Sequence, residues 1–428
     1  MNQLHIFLPC AAGVEDFLAG EVQTITDLPA HAVQRWRGGV MLQGSWRAVM
    51  QLNLHCRLAQ RVLVQLSLGE YRSEQDLYRA AAAVAWEIWF TPKQSIKIEV
   101  TAQHSPLTSL NFAALKIKDA VCDRFRDKAQ GVRPDVDTRW PDVRIFAHLT
   151  TDQCALYIDT SGEPLFKRGW REDTGDAPLK ETLAAAMIAA CGWADGDADL
   201  LPLYDPCCGS GTVAIEAAQI ACNIPPGYLR HFAFEKFLPF QAHVWQAIRQ
   251  EAQARIIHPE PGDAPLIYGS DVSHRMVDFA QRNAQRAGVA DVISFRGGDA
   301  LQRMPPVEGG GVMLLNPPYG ERIDVGGVAG EGARFGAREV AQTEEGGAFF
   351  NQLASHWKKN FSGWSAWVLT PDLKLPGKMR LKESRRVPLW NGPIECRLFR
   401  FDLVAGRMDK SKAAPDAGAA STPPAQSA

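Results

Sequence analysis

The chain carries almost no net charge: 46 lysines and arginines stand against 48 aspartates and glutamates over 428 residues. No protein-wide positive field advertises nucleic acid, so a polyanion would have to be met by local patches. Nine cysteines occur without a CxxC pair or regular Cys/His spacing, which disfavours a zinc site and points to reduced, mostly buried thiols; no metal is expected. Cys207 and Cys208 are sequence neighbours, poorly placed for a shared metal or an ordinary disulfide. No apolar run approaches the ~18 residues of a membrane span. The start, MNQLHIFLPCAAG, lacks the basic region and long apolar core of a signal peptide. A cytoplasmic location with no membrane partner is therefore expected. GxxxxGK[ST] is absent, which counts against ATP or GTP. Nor does the one glycine turn read as GxGxxG, since Thr212 and Val213 follow Gly211. A dinucleotide dehydrogenase is the weaker reading.

What is present is a soluble globular composition, 46% hydrophobic and 22% charged, on a chain long enough for two or three domains. The rest is organised around Leu201–Ala218, LPLYDPCCGSGTVAIEAA. A short apolar strand ends in Asp205-Pro206, a turn follows with Gly209 and Gly211, and Thr212 opens an apolar helix: the front of a nucleotide-type βαβ unit. Glycine there permits a sharp turn and close approach of backbone to a ligand. Downstream, VMLLNPPYGER (312–322) places Asn316-Pro317-Pro318-Tyr319 after four apolar residues. Between the two stretches, LIYGSD ends a strand in Asp271, where doubly wound folds hold ribose hydroxyls. The usual gap is ~20 residues; an excursion over 222–265, with a Pro-Pro-Gly turn, the aromatics Phe232, Phe234, Phe237, Phe240 and Trp245, and a helix near 244–257, lengthens it here. That excursion reads either as a lid or structural cover beside the site or, equally, as a packing appendage. Asp299, in GGDA, is the next acid after a strand end.

The N-terminal part reads β-α-β-β-α-β over residues 4–68, a ferredoxin-like order. A second module follows: a helix over Asp76–Phe90, a period-two strand over Ser95–Thr101, a helix through Lys128 and a hairpin over 144–159. On the helix Lys116 and Lys118 alternate with acids, which by charge alone is an ordinary solvated face. A polar connector (164–182) carries Lys167, Arg168 and Arg171 ahead of the apolar helix LAAAMIAACGW. Gly326–Gly347 reads as a mobile glycine-rich loop. Lys374–Arg400 holds eight basic residues, among them Arg380, Lys382, Arg385 and Arg386, against two acids. It is the clearest phosphate-binding candidate in the chain. The tail from Ala405 is Ala/Pro/Ser/Lys-rich and reads as disordered. The expected division is thus 1–68, 69–162, 163–404 and 405–428.

LNFAALKIKDAVCDRF followed by RIFAHLTTDQCALYIDTSG resembles a THUMP domain, an RNA-binding module. KRGWREDTGDAPLKETLAAA, DPCCGSGTVAIEAA, YGSDVS and LLNPPYGERI together resemble the bacterial 23S rRNA guanine-N2 methyltransferases. The resemblance implies an α/β protein in which α+β ferredoxin-like and THUMP modules precede a Rossmann-like class I methyltransferase domain, without a second methyltransferase domain. It implies S-adenosyl-L-methionine (SAM) as cofactor and 23S rRNA, or a large-subunit assembly intermediate, as partner. Asp205, Cys207, Gly209, Gly211, Thr212, Asp271, Asp299 and Asn316 would line the cofactor. Asp205 would serve the methionine end, Asp271 the ribose and Asp299 the adenine amine. Asn316, Pro317 and Tyr319 would be catalytic: the Asn316 oxygen and Pro317 carbonyl accept the acceptor amine's N–H bonds and Tyr319 stacks on the base. Lys116, Lys118, Lys167, Arg168, Arg380, Lys382, Arg385 and Arg386 would meet RNA. A cytosine-C5 enzyme would instead need a cysteine nucleophile. A THUMP-containing tRNA guanine-N2 methyltransferase, or a non-catalytic RNA-binding ribosome-assembly factor, are the alternatives.

Overall fold

The computed structural model describes residues 3–404 apart from 176–177, 196–199, 261 and 318–344. The first unit runs β1 (Leu4–Pro9), α1 (Glu15–Thr26), β2 (Val33–Trp36), β3 (Gly39–Gly44), α2 (Trp46–His55) and β4 (Leu63–Glu70). The second runs α3 (Glu74–Ala83), β5 (Ile96–Ala102), α4 (Leu110–Lys128), β6 (Val143–Leu149) and β7 (Gln153–Asp159). Period-two burial along β6, with Val143, Ile145, Ala147 and Leu149 inward, follows from the strand's alternation of faces. The two units form one seven-stranded sheet, β2-β3-β1-β4-β7-β6-β5, because β4 pairs with β1 on one side and with β7 on the other. Sequence order alone does not show that junction, which rests on pairing between residues about a hundred positions apart.

The helix expected over Asp76–Phe90 stops at Ala83. Val84 is extended, and Trp86, fully buried, donates its indole N–H to the Ala81 carbonyl at 2.7 Å. Drawing that large ring into the core ends the helix, and a short 3-10 turn (Trp86–Ile88) takes its place.

The third unit runs α5 (Glu181–Cys191), β8 (Leu203–Asp205), α6 (Thr212–Ala221), α7 (Ala242–Gln253), β9 (Ile267–Asp271), α8 (His274–Arg286), β10 (Ile293–Gly297), β11 (Val312–Leu315), α9 (Glu345–Asn360), β12 (Ser365–Thr370), α10 (Leu375–Met379), β13 (Arg385–Asn391) and β14 (Ile394–Asp402). Its sheet has the order β10-β9-β8-β11-β12-β14-β13. The first five strands are parallel and β14 is antiparallel to both neighbours. The strand order reverses between β8 and β11. In doubly wound sheets ligands bind outside the carboxyl ends at such a switch point, and Asp205 ends β8 just as Asn316 follows β11.

The excursion over 222–265 is a bracket between the halves. Phe232, Phe234 and Trp245 form an aromatic cluster with centroids 5.1–5.8 Å apart. Around it, Gly227 N–H donates to the Leu54 carbonyl, Leu238 N–H to Trp89 and Phe234 N–H to Thr160. A Cβ at Gly227 would stand 2.8 Å from the Asn53 carbonyl oxygen, so only glycine allows that approach. Among the described residues no helix is long and apolar enough to cross a membrane.

Candidate active site

The glycine turn is built from the ends of β8 and β9. Gly209 and Gly211 have φ of +52° and +88°, the left-handed region that glycine enters without strain. A Cβ on Gly211 would stand 3.0 Å from that of Ala280, whereas one on Gly209 would meet nothing. The turn is thus pressed against α8 at one glycine and open at the other. Asp271 braces it: one carboxylate oxygen accepts the Gly209 N–H at 3.0 Å and the other accepts the Ser273 N–H at 2.9 Å. Asp299 accepts from Leu301 N–H at 2.9 Å, and its loop is tied to β9 by Gly298 N–H donating to the Asp271 carbonyl.

Asp205 is buried and accepts the Cys207 N–H at 3.0 Å. Burial, reinforced by the Asp271 charge, lifts its carboxyl from 3.8 to about 8. Asp271 is also raised by burial, against the two backbone N–H groups that favour its charge. No cation among the described residues pairs with either. At the end of β11, Asn316 carries a buried side-chain oxygen with no hydrogen-bond partner among the described residues. A lone buried acceptor of this kind costs free energy until a donor meets it. Carboxylates, an open glycine and an unpartnered amide oxygen converge on one crevice, a donor-and-acceptor set that fits an amino-acid-bearing nucleoside such as SAM. Cys207 and Cys208 have thiols pushed well above the usual value by burial and by Asp205, so neither is an activated nucleophile.

Comparison with known proteins bears on this site. Residues 168–330 match the family described as the RMKL-like methyltransferase domain, residues 71–159 the THUMP domain and residues 5–63 the RlmL ferredoxin-like domain. The stretch that holds the glycine turn and the end of β11 is thus similar to the RMKL-like methyltransferase domain. It is 38% identical over 402 residues to ribosomal RNA large subunit methyltransferase K/L of Shewanella amazonensis, across 94% of this chain and 53% of that one. The chain thus spans about half the length of the curated relatives it matches. A structure described as a putative methyltransferase complexed with SAH superposes with a TM-score of 0.80 at 27% identity, covering 95% of this chain and 99% of that one. A structure from Listeria monocytogenes, described as a predicted N6-adenine-specific DNA methylase, gives 0.78 at 28% identity, covering 94% and 96%.

In the methyltransferase-like domain the connector and α8 supply positioning groups to which the sequence analysis gave no role. Arg171 donates to the Ser210 hydroxyl at 2.8 Å, the Thr212 hydroxyl at 2.7 Å and the Glu181 carboxylate at 2.7 Å, clamping the glycine turn to α5. Asn283 donates to the Ser210 carbonyl at 3.1 Å. Thr212, expected at the cofactor, is buried with its hydroxyl engaged by Arg171. The RGWR spacing before α5 was the one available signal for Arg171. Asn283 had none.

Arg168 corrects an expectation. It does not face RNA: its side chain is 1% exposed and its guanidinium meets Glu216 at 3.0 and 3.3 Å, the Leu165 carbonyl at 2.9 Å and the Arg57 carbonyl at 2.7 Å. A basic residue in a polar connector reads as solvent-facing until its acid, on α6, is folded beneath it. Lys167 pairs with Glu163 at 2.8 Å and Lys118 with Asp119 at 2.6 Å, while Lys116 lies 5.4 Å over the Phe112 ring. The 374–400 patch is weaker than its composition. Lys378, Arg386, Arg397 and Arg400 pair with Asp372, Glu383, Glu395 and Asp402, so eight bases face four acids. Arg385 is exposed and lies 5.9 Å from the Trp367 ring; Arg380 and Lys382 are exposed. Tyr319 and the loop from 326 to 344 lie outside the described residues, while Gly346 and Gly347 fall in the first turn of α9. No group of three or more metal-ligating side chains occurs among the described residues.

Proposed function

We propose that this chain transfers a methyl group from SAM to the exocyclic N2 amine of a guanine in 23S rRNA. The observation that carries the reading is the buried Asn316 oxygen at the switch point, unpartnered among the described residues. An aryl amine is a poor nucleophile because its lone pair is delocalised into the ring. The Asn316 oxygen and the Pro317 carbonyl accept its two N–H bonds, orienting the nitrogen and supporting the positive charge that builds there. Alignment of this kind is worth ~7–11 kcal/mol. SAM supplies an electrophilic methyl group. Asp205 holds its ammonium end, Asp271 the ribose hydroxyls and Asp299 the adenine amine, with Gly209 and Cys207 leaving room for the nucleoside and Gly211 seating the turn on α8.

The large-subunit rRNA substrate is supported by the name of the Shewanella relative and by the THUMP domain. A soluble, cytoplasmic enzyme fits that substrate. We divide it as 1–68, 69–162 and 163–404, the first two parts carrying RNA and the third the chemistry.

The test is to incubate the protein with labelled SAM and separate pools of unmethylated 23S rRNA, 16S rRNA and tRNA, then identify the digested nucleosides by mass. N2-methylguanosine in 23S rRNA, lost in Asn316→Ala, is the expected result. Label in tRNA alone would replace the substrate, N6-methyladenosine would replace the acceptor, and no transfer to any RNA despite SAM binding would overturn the reading.

A further inference from the structure

Where the first and third units meet beside the connector there is a cavity of about 360 Å³ that the chemistry above does not use. Its walls come from the loop after β1, from the stretch before β4, from the connector with the first turn of α5, and from the β13–β14 turn. The side chains that matter are Gln60, Arg61, Phe166, Lys180 and Trp390; among the described residues no acidic side chain lines it. Lys180 is exposed and its ammonium lies 5.2 Å over the Phe166 ring. Arg61 is fixed in place by Asp159 and by the Gly162 carbonyl. Two cations, an amide and two aromatic faces in one recess are the chemistry that holds a phosphodiester and stacks a base. The volume lies at the low end for ligand pockets, room for a single nucleotide and not for a duplex.

The position of the recess points the same way. The last β12 residue, Thr370, pairs with Arg397, and β14 begins three residues earlier at Ile394. The β13–β14 turn therefore overhangs the carboxyl ends of the parallel strands by roughly 10 Å. Asn316 emerges at that same end. Strand β13 lies three places from β11 in the sheet, about 14 Å sideways at the usual strand spacing. On the far wall, Cys10 N–H donates at 2.9 Å to the carbonyl of Gly38, in the turn that presents Trp36, 59% exposed, beside the exposed Arg37. An exposed indole flanked by arginine is a further stacking platform for a single strand.

We propose that this recess binds one nucleotide of the RNA strand near the base being methylated, so that the ferredoxin-like unit and the β13–β14 turn together hold the substrate while Asn316 holds the amine. The proposal rests on the RNA reading above. Its test measures binding of a labelled, unstructured RNA oligonucleotide to the full chain and to Lys180→Glu and Trp390→Ala, with AMP as competitor. SAM affinity and Tm serve as controls for folding. Each variant is expected to bind the oligonucleotide about tenfold more weakly, and to raise the KM for RNA with kcat and SAM affinity unchanged. AMP is expected to compete only weakly. Wild-type RNA affinity in both folded variants would overturn the proposal, leaving the methyl-transfer reading standing. AMP binding as tightly as the oligonucleotide, with the same dependence on Lys180, would overturn it in favour of a free nucleotide. Failure of the wild-type chain to methylate any RNA would instead overturn the functional reading beneath it.

Discussion

Two clusters of buried polar groups lie on either side of α6, and they are finished to different degrees. At the junction of the N-terminal half with the methyltransferase sheet, Arg168 and Glu216 are both buried, and every nitrogen of Arg168 has an acceptor. Arg57 completes the cluster: one nitrogen donates to the Gln219 and Ile224 carbonyls and another stands 3.6 Å from Glu216. At the crevice, Asp205 has one backbone donor and no cation, and the Asn316 oxygen has no partner among the described residues. Burial is costly for both sets. Where the groups serve only to join two units, the chain supplies the counter-charge itself, although Arg57 Nη1 and the Gln219 side-chain oxygen have no hydrogen-bond partner among the described residues. Where they serve a reaction, the partners are left for cofactor and substrate to bring. The mark that separates the working site from an equally polar joint is thus a buried acid with no cation among the described residues, whereas the two guanidinium groups of the joint share the Glu216 carboxylate.

The contrast can be broken first at Asn316. Asn316→Ala removes an acceptor made for the transition state, so methyl transfer in single-turnover assays is expected to fall by about 10²–10³, with Tm unchanged. Glu216→Ala should do the reverse. It strands two buried guanidinium groups and is expected to cost about 3–5 kcal/mol in denaturant unfolding; a loss under about 1 kcal/mol would show that the junction does not depend on the pair.

Asp205→Asn sharpens the comparison through pH. With its folded pKa lifted to about 8 from 3.8, Asp205 keeps in the folded state a proton that the unfolded chain has already released. Its contribution to stability is full below about pH 4 and is lost as pH rises towards 8. Asp205→Asn is expected to flatten that slope of Tm against pH while weakening SAM binding in calorimetry. In the wild type, SAM affinity should rise from pH 6 to 8 as the carboxylate forms. Arg171→Ala, which loosens the glycine turn without touching the methyl group, is expected to raise the KM for SAM about tenfold with a small change in kcat. The smallest effect belongs to Lys118→Ala: its surface pairing with Asp119 makes an RNA affinity change above about twofold unexpected.

Much of the architecture was legible because it is written locally. Period-two burial in β6, the left-handed glycines of the turn and the apolar run before Asn316 each depend on neighbours a few residues away. The limits of legibility appear where a residue's partner is distant. The Asp76–Phe90 helix was cut short by a tryptophan whose burial was not visible in its own segment. The eight bases between Lys374 and Arg400 lacked, in their composition window, two of the acids that pair with them, Asp372 and Asp402. The excursion after α6 gave no sign that its Gly227 was made for the Leu54 carbonyl.

By itself, the amino-acid order determined the element series, the glycine turn between strand and helix, and the asparagine-proline step after β11, since backbone sterics and hydrophobic periodicity act over short stretches. Only the tertiary structure decided that two N-terminal units share one sheet, that Arg168 turns inward to Glu216 while Arg171 clamps the turn, and that Asp205 has no cation among the described residues. Those outcomes are matters of burial and charge pairing, and both depend on which distant segments the folded chain brings together.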